Sequence, residues 1–119
     1  MFSSLSSPCY TINKGFPSQI PILSVIYPFY SNSGIYTQVN CTGTNFLHGA
    51  NNTIIYFTNE ITNSSPIILP VTFYSSENIS FVVPTDLLAG LYNVKVAILS
   101  TIFNNTTLLF SNSLEYTII

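Results

Sequence analysis

Charge is nearly missing from this 119-residue chain. There is no arginine, and Lys14, Lys95, Glu60, Glu77, Asp86 and Glu115 are the only formally charged side chains, 5% of residues where an ordinary domain carries about a quarter. A face that binds nucleic acid needs several Lys or Arg to release counterions from phosphate, so that class of partner is excluded. Long hydrophobic runs are also lacking: Ser, Thr, Asn or Pro interrupts every apolar stretch well short of the 18 residues that a membrane-spanning helix needs, and no membrane span is expected. Met1 to Pro8 has neither the basic start nor the apolar middle of a secretory leader, so a secreted form is expected to have lost its leader before this point.

The residues of catalysis are equally scarce. His48 is the only histidine and falls among turn residues, and no carboxylate pair, nucleophile elbow or glycine-rich phosphate loop occurs. The four acidic residues are scattered and form no paired calcium-type loop. The chain is therefore expected to be no enzyme and to carry no metal or cofactor other than covalently attached glycans.

Apolar residues are abundant: hydrophobic side chains make up 47%, aromatics 14%, and mean hydropathy is +0.45, enough apolar surface to offset the entropy of folding one domain. Ser, Thr and Asn together number 42, 16, 13 and 13 respectively, and replace charge as the wettable surface. With a net charge of -2 little repulsion keeps copies apart, which favours glycan-bearing proteins and proteins that pack side by side. A homo-oligomer or polymer is expected.

Turn residues recur at Ser31–Gly34, Gly43–Asn45, His48–Asn52, Thr62–Pro66, Ala89–Gly90 and Asn104–Asn105. Between them lie β-prone runs at Ile22–Tyr27, Tyr36–Thr42, Thr53–Thr58, Ile67–Tyr74, Ile79–Val83, Leu91–Leu99 and Leu108–Tyr116. Val39, Cys41 and Gly43 alternate with Asn40 and Thr42; Ile79, Phe81 and Val83 with Asn78 and Ser80; Tyr92, Val94 and Val96 with Asn93 and Lys95. Period two with one polar face predicts half-buried antiparallel strands, and helical spacing is confined to one turn at Thr85–Ala89. The fold class is all-β, an antiparallel β-sandwich of about seven strands over residues 21–119 with an N-terminal extension at 1–20.

The order of these motifs resembles the IPT/TIG domain, an immunoglobulin-like fold of cell-surface receptors, bacterial and protist surface proteins and some transcription factors. The resemblance covers about residues 21–119. It is carried by Pro21-Ile22-Leu23-Ser24-Val25-Ile26-Tyr27-Pro28, by Gly34, and by Val39-Asn40-Cys41-Thr42-Gly43-Thr44-Asn45-Phe46. It continues through Ile54-Ile55-Tyr56-Phe57, Ile79-Ser80-Phe81-Val82-Val83-Pro84, Ala89 to Val96 and Leu114-Glu115-Tyr116. Residues 1–20 have no place in that pattern, and Cys41 stands where an aliphatic core residue is usual. The Gly43–Phe46 corner also makes sense by itself, with a glycine for the turn, an asparagine that bonds its own backbone and a phenylalanine to plug the end of the sandwich.

Two features bear on an extracellular setting. Cys9 and Cys41, an even pair, suggest a disulfide that pins the extension to the sandwich or joins neighbouring copies; two buried free thiols are the alternative. N-glycosylation sequons occur at Asn40, Asn51, Asn63, Asn78, Asn104 and Asn105, against about three expected by chance. Asn40 and Asn78 fall on outward strand faces, the other four in loops. The leading expectation is a structural subunit of an extracellular, glycosylated filament, coat or repeat array, self-assembling at the cell surface through strand edges and its N-terminal tail. The alternative is an extracellular carbohydrate- or protein-binding, adhesion-type module of a larger surface protein.

Overall fold

A computed structural model describes residues 20–49, 51–62, 65–102 and 104–119. Among the described residues ten strands form two sheets and no helix occurs. In chain order they are β1 (Ile22–Tyr27), β2 (Tyr30–Ser31), β3 (Thr37–Thr44), β4 (Thr53–Asn59), β5 (Ile67–Pro70), β6 (Thr72–Ser75), β7 (Asn78–Val83), β8 (Gly90–Ile102), β9 (Asn105–Phe110) and β10 (Leu114–Ile118). One sheet runs β1-β3-β7-β6. The other runs β2-β10-β8-β4-β5, with β9 paired to β8 beside β10. All ladders are antiparallel except β2 on β10.

The strands exceed the expected seven for local reasons. The run Ile67–Tyr74 divides at Val71, and its halves join opposite sheets, β5 beside β4 and β6 beside β7. The run Leu108–Tyr116 divides at Ser111–Ser113, so β9 and β10 line the same edge of the long strand β8 in succession. Tyr30–Ser31 adds a two-residue strand after the cis Tyr27–Pro28 bond.

At the Ser111 break the ladder continues through a side chain. The Ser111 N–H donates to the Val96 carbonyl at 2.8 Å, and the Val96 N–H donates to Ser111 Oγ at 2.8 Å, where a backbone carbonyl would otherwise sit. Asn112 then crosses to the other sheet. It accepts from the Leu23 N–H at 2.9 Å and donates to the Leu23 carbonyl at 2.8 Å, so one amide occupies both backbone groups of a residue in β1. β1 bulges between Leu23 and Val25, directly beside this contact.

The core lies between the sheets, where the inward positions of the alternating strands meet. Phe57 is its centre, stacked on Tyr92 at 4.9 Å and meeting Phe81 and Tyr116 edge-on at 6.1 and 5.7 Å. Both buried tyrosines satisfy their hydroxyls, Tyr92 to the Leu88 carbonyl and Tyr116 to Ser31 Oγ, each at 2.7 Å. Phe46 plugs one end, as its position in the corner predicts. Gly43 is required there because a Cβ would strike the Ile22 carbonyl and come within 2.7 Å of the Phe46 ring. Asn45 holds φ at 67°, and its amide donates to the Ile20 carbonyl at 3.1 Å rather than to its own local backbone as expected, tying the corner to the approach of β1.

Loss of the Asn112 amide leaves both Leu23 groups without their partner, at about 0.5–1.5 kcal/mol per bond. Asn112→Ala is expected to lower the unfolding free energy by about 1–3 kcal/mol in a urea titration. The exposed Asn105→Ala shifts it by no more than about 0.5 kcal/mol; equal shifts in the two variants would show that the cross-sheet amide carries no special role.

Candidate functional site

Among the described residues no cluster of His, Cys, Asp or Glu gathers, and the outward sheet faces carry the exposed polar and aromatic side chains. On the β1-β3-β7-β6 sheet the registers align Tyr27, Asn40, Ser80 and Thr72 in one row and Val25, Thr42, Asn78 and Ser75 in the next. Two sequons thus lie reciprocally across the β3–β7 ladder. Asn40 is opposite Ser80, the hydroxyl residue of the Asn78 sequon, and Asn78 is opposite Thr42, the hydroxyl residue of the Asn40 sequon. Thr42 Oγ1 bonds Asn78 Oδ1 at 3.5 Å, and the two asparagines sit on a diagonal of about 7–8 Å.

Both Asn40 and Asn78 are exposed. Ser80, although on the outward face, is only 1% exposed, because Tyr74 folds over it from the bulged strand β6. The Ser80 hydroxyl donates to Tyr74 Oη at 3.3 Å, and Gln38 Nε2 reaches Ser80 Oγ at 3.1 Å and Tyr74 Oη at 3.4 Å. Around this cluster lies a groove of about 450 Å³ whose lining includes Tyr36, Gln38, Tyr74 and Val82. Tyr36 and Tyr74 are well exposed, and no formal charge lines the groove. Such a surface offers aromatic faces and neutral hydrogen-bonding groups.

Of the remaining sequon asparagines, Asn51, Asn104 and Asn105 are exposed, Asn105 opening β9 rather than lying in a loop as expected, and Asn63 lies outside the described residues. Asn51 and Asn104 hold φ at 64° and 66°, a left-handed conformation that asparagine tolerates better than most residues, so each also has a purely conformational reason to be there. The sequence showed each sequon singly; that two of them face each other required knowing that β3 and β7 are neighbours in this register.

The second outward face, on the larger sheet, gathers Tyr56, Lys95 and Phe110. Lys95 Nζ lies 4.9 Å from the centre of the Phe110 ring, and Tyr56 meets that ring edge-on at 5.0 Å. His48 packs edge-on against Phe73 at 5.2 Å. Among the described residues no three His, Cys, Asp or Glu side chains come together in a way that could hold a metal ion, and all four acidic residues are exposed.

Cys41 is 1% exposed between the sheets and has no disulfide partner among the described residues; its expected partner Cys9 lies outside them. Burial pushes the Cys41 thiol up to about 12.

Two facing sheets, a parallel β2–β10 edge and a tyrosine at the start of β8 that bonds back to Leu88 define an immunoglobulin-like sandwich. The IPT/TIG domain model matches residues 21–114, and the chain belongs to that family, whose members are non-catalytic immunoglobulin-like domains. No curated protein matches the chain as a relative. In antibody domains the second cysteine of the inter-sheet bridge follows the corner tyrosine by two residues; here that position is Val94, so β8 supplies no partner for Cys41.

A thiol whose folded value is raised stays neutral in both states below about pH 9, then ionises only in the unfolded chain until about pH 12. Its contribution is therefore complete below pH 9 and lost as pH rises, by up to about 1.4 kcal/mol per unit. Denaturant titrations of the reduced protein from pH 7 to 11 should show wild type losing stability relative to Cys41→Val above pH 9; parallel curves would mean that the thiol is not buried as described.

Proposed function

We propose that this chain is a non-catalytic structural module of an extracellular, glycosylated filament, coat or repeat array. The supporting observation is where the apolar surface falls on an almost uncharged molecule. At the end of the sandwich where β10 finishes, Ser33 N–H bonds the Ile119 carbonyl and Ser33 Oγ bonds the Leu87 carbonyl, at 3.0 Å each. These bonds bring together Leu88, Ile119 and Ile35, which are 80%, 63% and 57% exposed. An apolar end of this kind suits the stacking of one module on the next. Residues 1–20 supply a second joining element, and sugars on Asn40 or Asn78 cover the small sheet.

The groove beside Tyr74 favours a second reading, a module that binds neutral carbohydrate: Tyr36 and Tyr74 offer ring faces to a sugar, and Gln38 offers its amide. Electron microscopy of native, unreduced material, combined with glycopeptide mass spectrometry, separates the two readings. Regular filaments or arrays with sugar at Asn40 or Asn78 are expected. Dispersed, bare monomers that bind immobilised glycans would overturn the structural reading in favour of the binding module.

A further inference from the structure

Of the edges that these two sheets expose, one is left undefended. β1 and β6 are each interrupted by a bulge, between Leu23 and Val25 and between Phe73 and Ser75. β5 has four residues and ends in Pro70, and β2 has two. Bulges, proline and shortness are the usual devices that stop edges from pairing with other chains. β9, Asn105-Thr106-Thr107-Leu108-Leu109-Phe110, has none of them. It runs unbroken in register with β8, carries no charge and pairs with no other strand among the described residues.

The groups it presents follow from the ladder. Ser111 N–H bonds the Val96 carbonyl, so 111 and 96 form a hydrogen-bonded pair in the same register as β9 and β8. Such pairs alternate in an antiparallel ladder, which makes 109/98, 107/100 and 105/102 hydrogen-bonded and turns the N–H and C=O of Thr106, Leu108 and Phe110 to the open side. Leu108 and Phe110 are also 38% and 40% exposed.

We propose that β9 is the joint between two copies of this chain, antiparallel about a two-fold axis with Leu108 opposite Leu108. That register uses all three outward residues, pairing Leu108 with Leu108 and each Thr106 with the other copy's Phe110, for about six hydrogen bonds. It keeps the faces of the two sheets continuous, because paired residues share parity. Centring on Thr106 or Phe110 instead runs the pairing off the end of the strand. A second copy is the fitting occupant, since it brings an edge of the same length, the same neutrality and the matching alternation of bonding groups. The inference rests on the assembly reading above and assigns it a strand and a register.

The test is cysteine cross-linking on the full chain. Facing Cα atoms of a hydrogen-bonded antiparallel pair are about 5.5 Å apart, within reach of a disulfide. Leu108→Cys is therefore expected to give a dimer on mild oxidation, with mass spectrometry finding a peptide disulfide-linked between position 108 of one copy and position 108 of the other. Thr107→Cys, which lies beyond bridging distance from its counterpart, gives none. Leu108→Pro removes only an N–H that β8 does not use; circular dichroism is expected to stay unchanged while self-association, followed by sedimentation, weakens at least about tenfold. Should the proline variant misfold, the cysteine pair still reads the register. Two outcomes overturn the joint and leave the assembly reading standing: copies of the Leu108→Pro variant that associate as before, with no cross-link from Leu108→Cys, or a peptide linking position 108 to Cys9, which would put the N-terminal segment on this edge. A protein monomeric at every concentration overturns both.

Discussion

The Ser111–Asn112 step is the contact on which the arrangement of the sandwich turns. A strand that continued straight through it would pair with β8 along its whole length and leave the first strand of the other sheet unattached on that side. Instead the Ser111 hydroxyl keeps the ladder closed at Val96, and the Asn112 amide takes both backbone groups of Leu23. The chain can then re-enter as β10, carrying Tyr116 into the core against Phe57 and forming the parallel ladder with β2. Two neutral side chains thus serve as pieces of backbone. This suits a sequence with almost no charge, because a satisfied neutral amide is inexpensive to cover, whereas an ion pair carries a desolvation cost.

Alternation made the inward positions of β3, β7 and β8 legible, and the Gly43–Phe46 corner announced both its turn and its plug. Sheet membership was not legible. Ile67 to Tyr74 reads as one apolar run, and nothing in its pattern marks Val71 as the point where the chain leaves one sheet for the other; Pro70 is the only local hint, since a proline is poorly suited to continue a paired strand. The polar triplet Ser111-Asn112-Ser113 was a visible interruption, but its role depends on Leu23, 89 residues away. Ser80 shows the limit of period-two reasoning. Its outward position was evident, while its burial comes from Tyr74, which the bulge in β6 places above it.

The same distinction separates what the candidate sites owe to local sequence from what they owe to pairing. Each sequon is a local motif, and exposure at Asn40, Asn51, Asn78, Asn104 and Asn105 follows from turns and outward strand positions. The reciprocal placement of Asn40 and Asn78 exists only because β3 and β7 are in register. It puts two sequon asparagines on the small sheet, while Asn105 opens β9, and the Tyr56–Lys95–Phe110 cluster and the open edge of β9 belong to the large one.

Charge scarcity bears directly on how such contacts could be specific. In most domains like-charge repulsion rejects wrong partners and wrong registers at small cost. A surface with six formal charges has little of that means, and must instead discriminate by hydrogen-bond register and by obstruction. Bulges at β1 and β6 and the proline at β5 obstruct three edges without a single charge. An edge-to-edge joint then selects its own register, since a slip of one residue would turn N–H toward N–H and carry Leu108 and Phe110 to the opposite face. In a neutral protein, strand geometry can do what charge patterning does elsewhere, and it keeps doing so at any ionic strength.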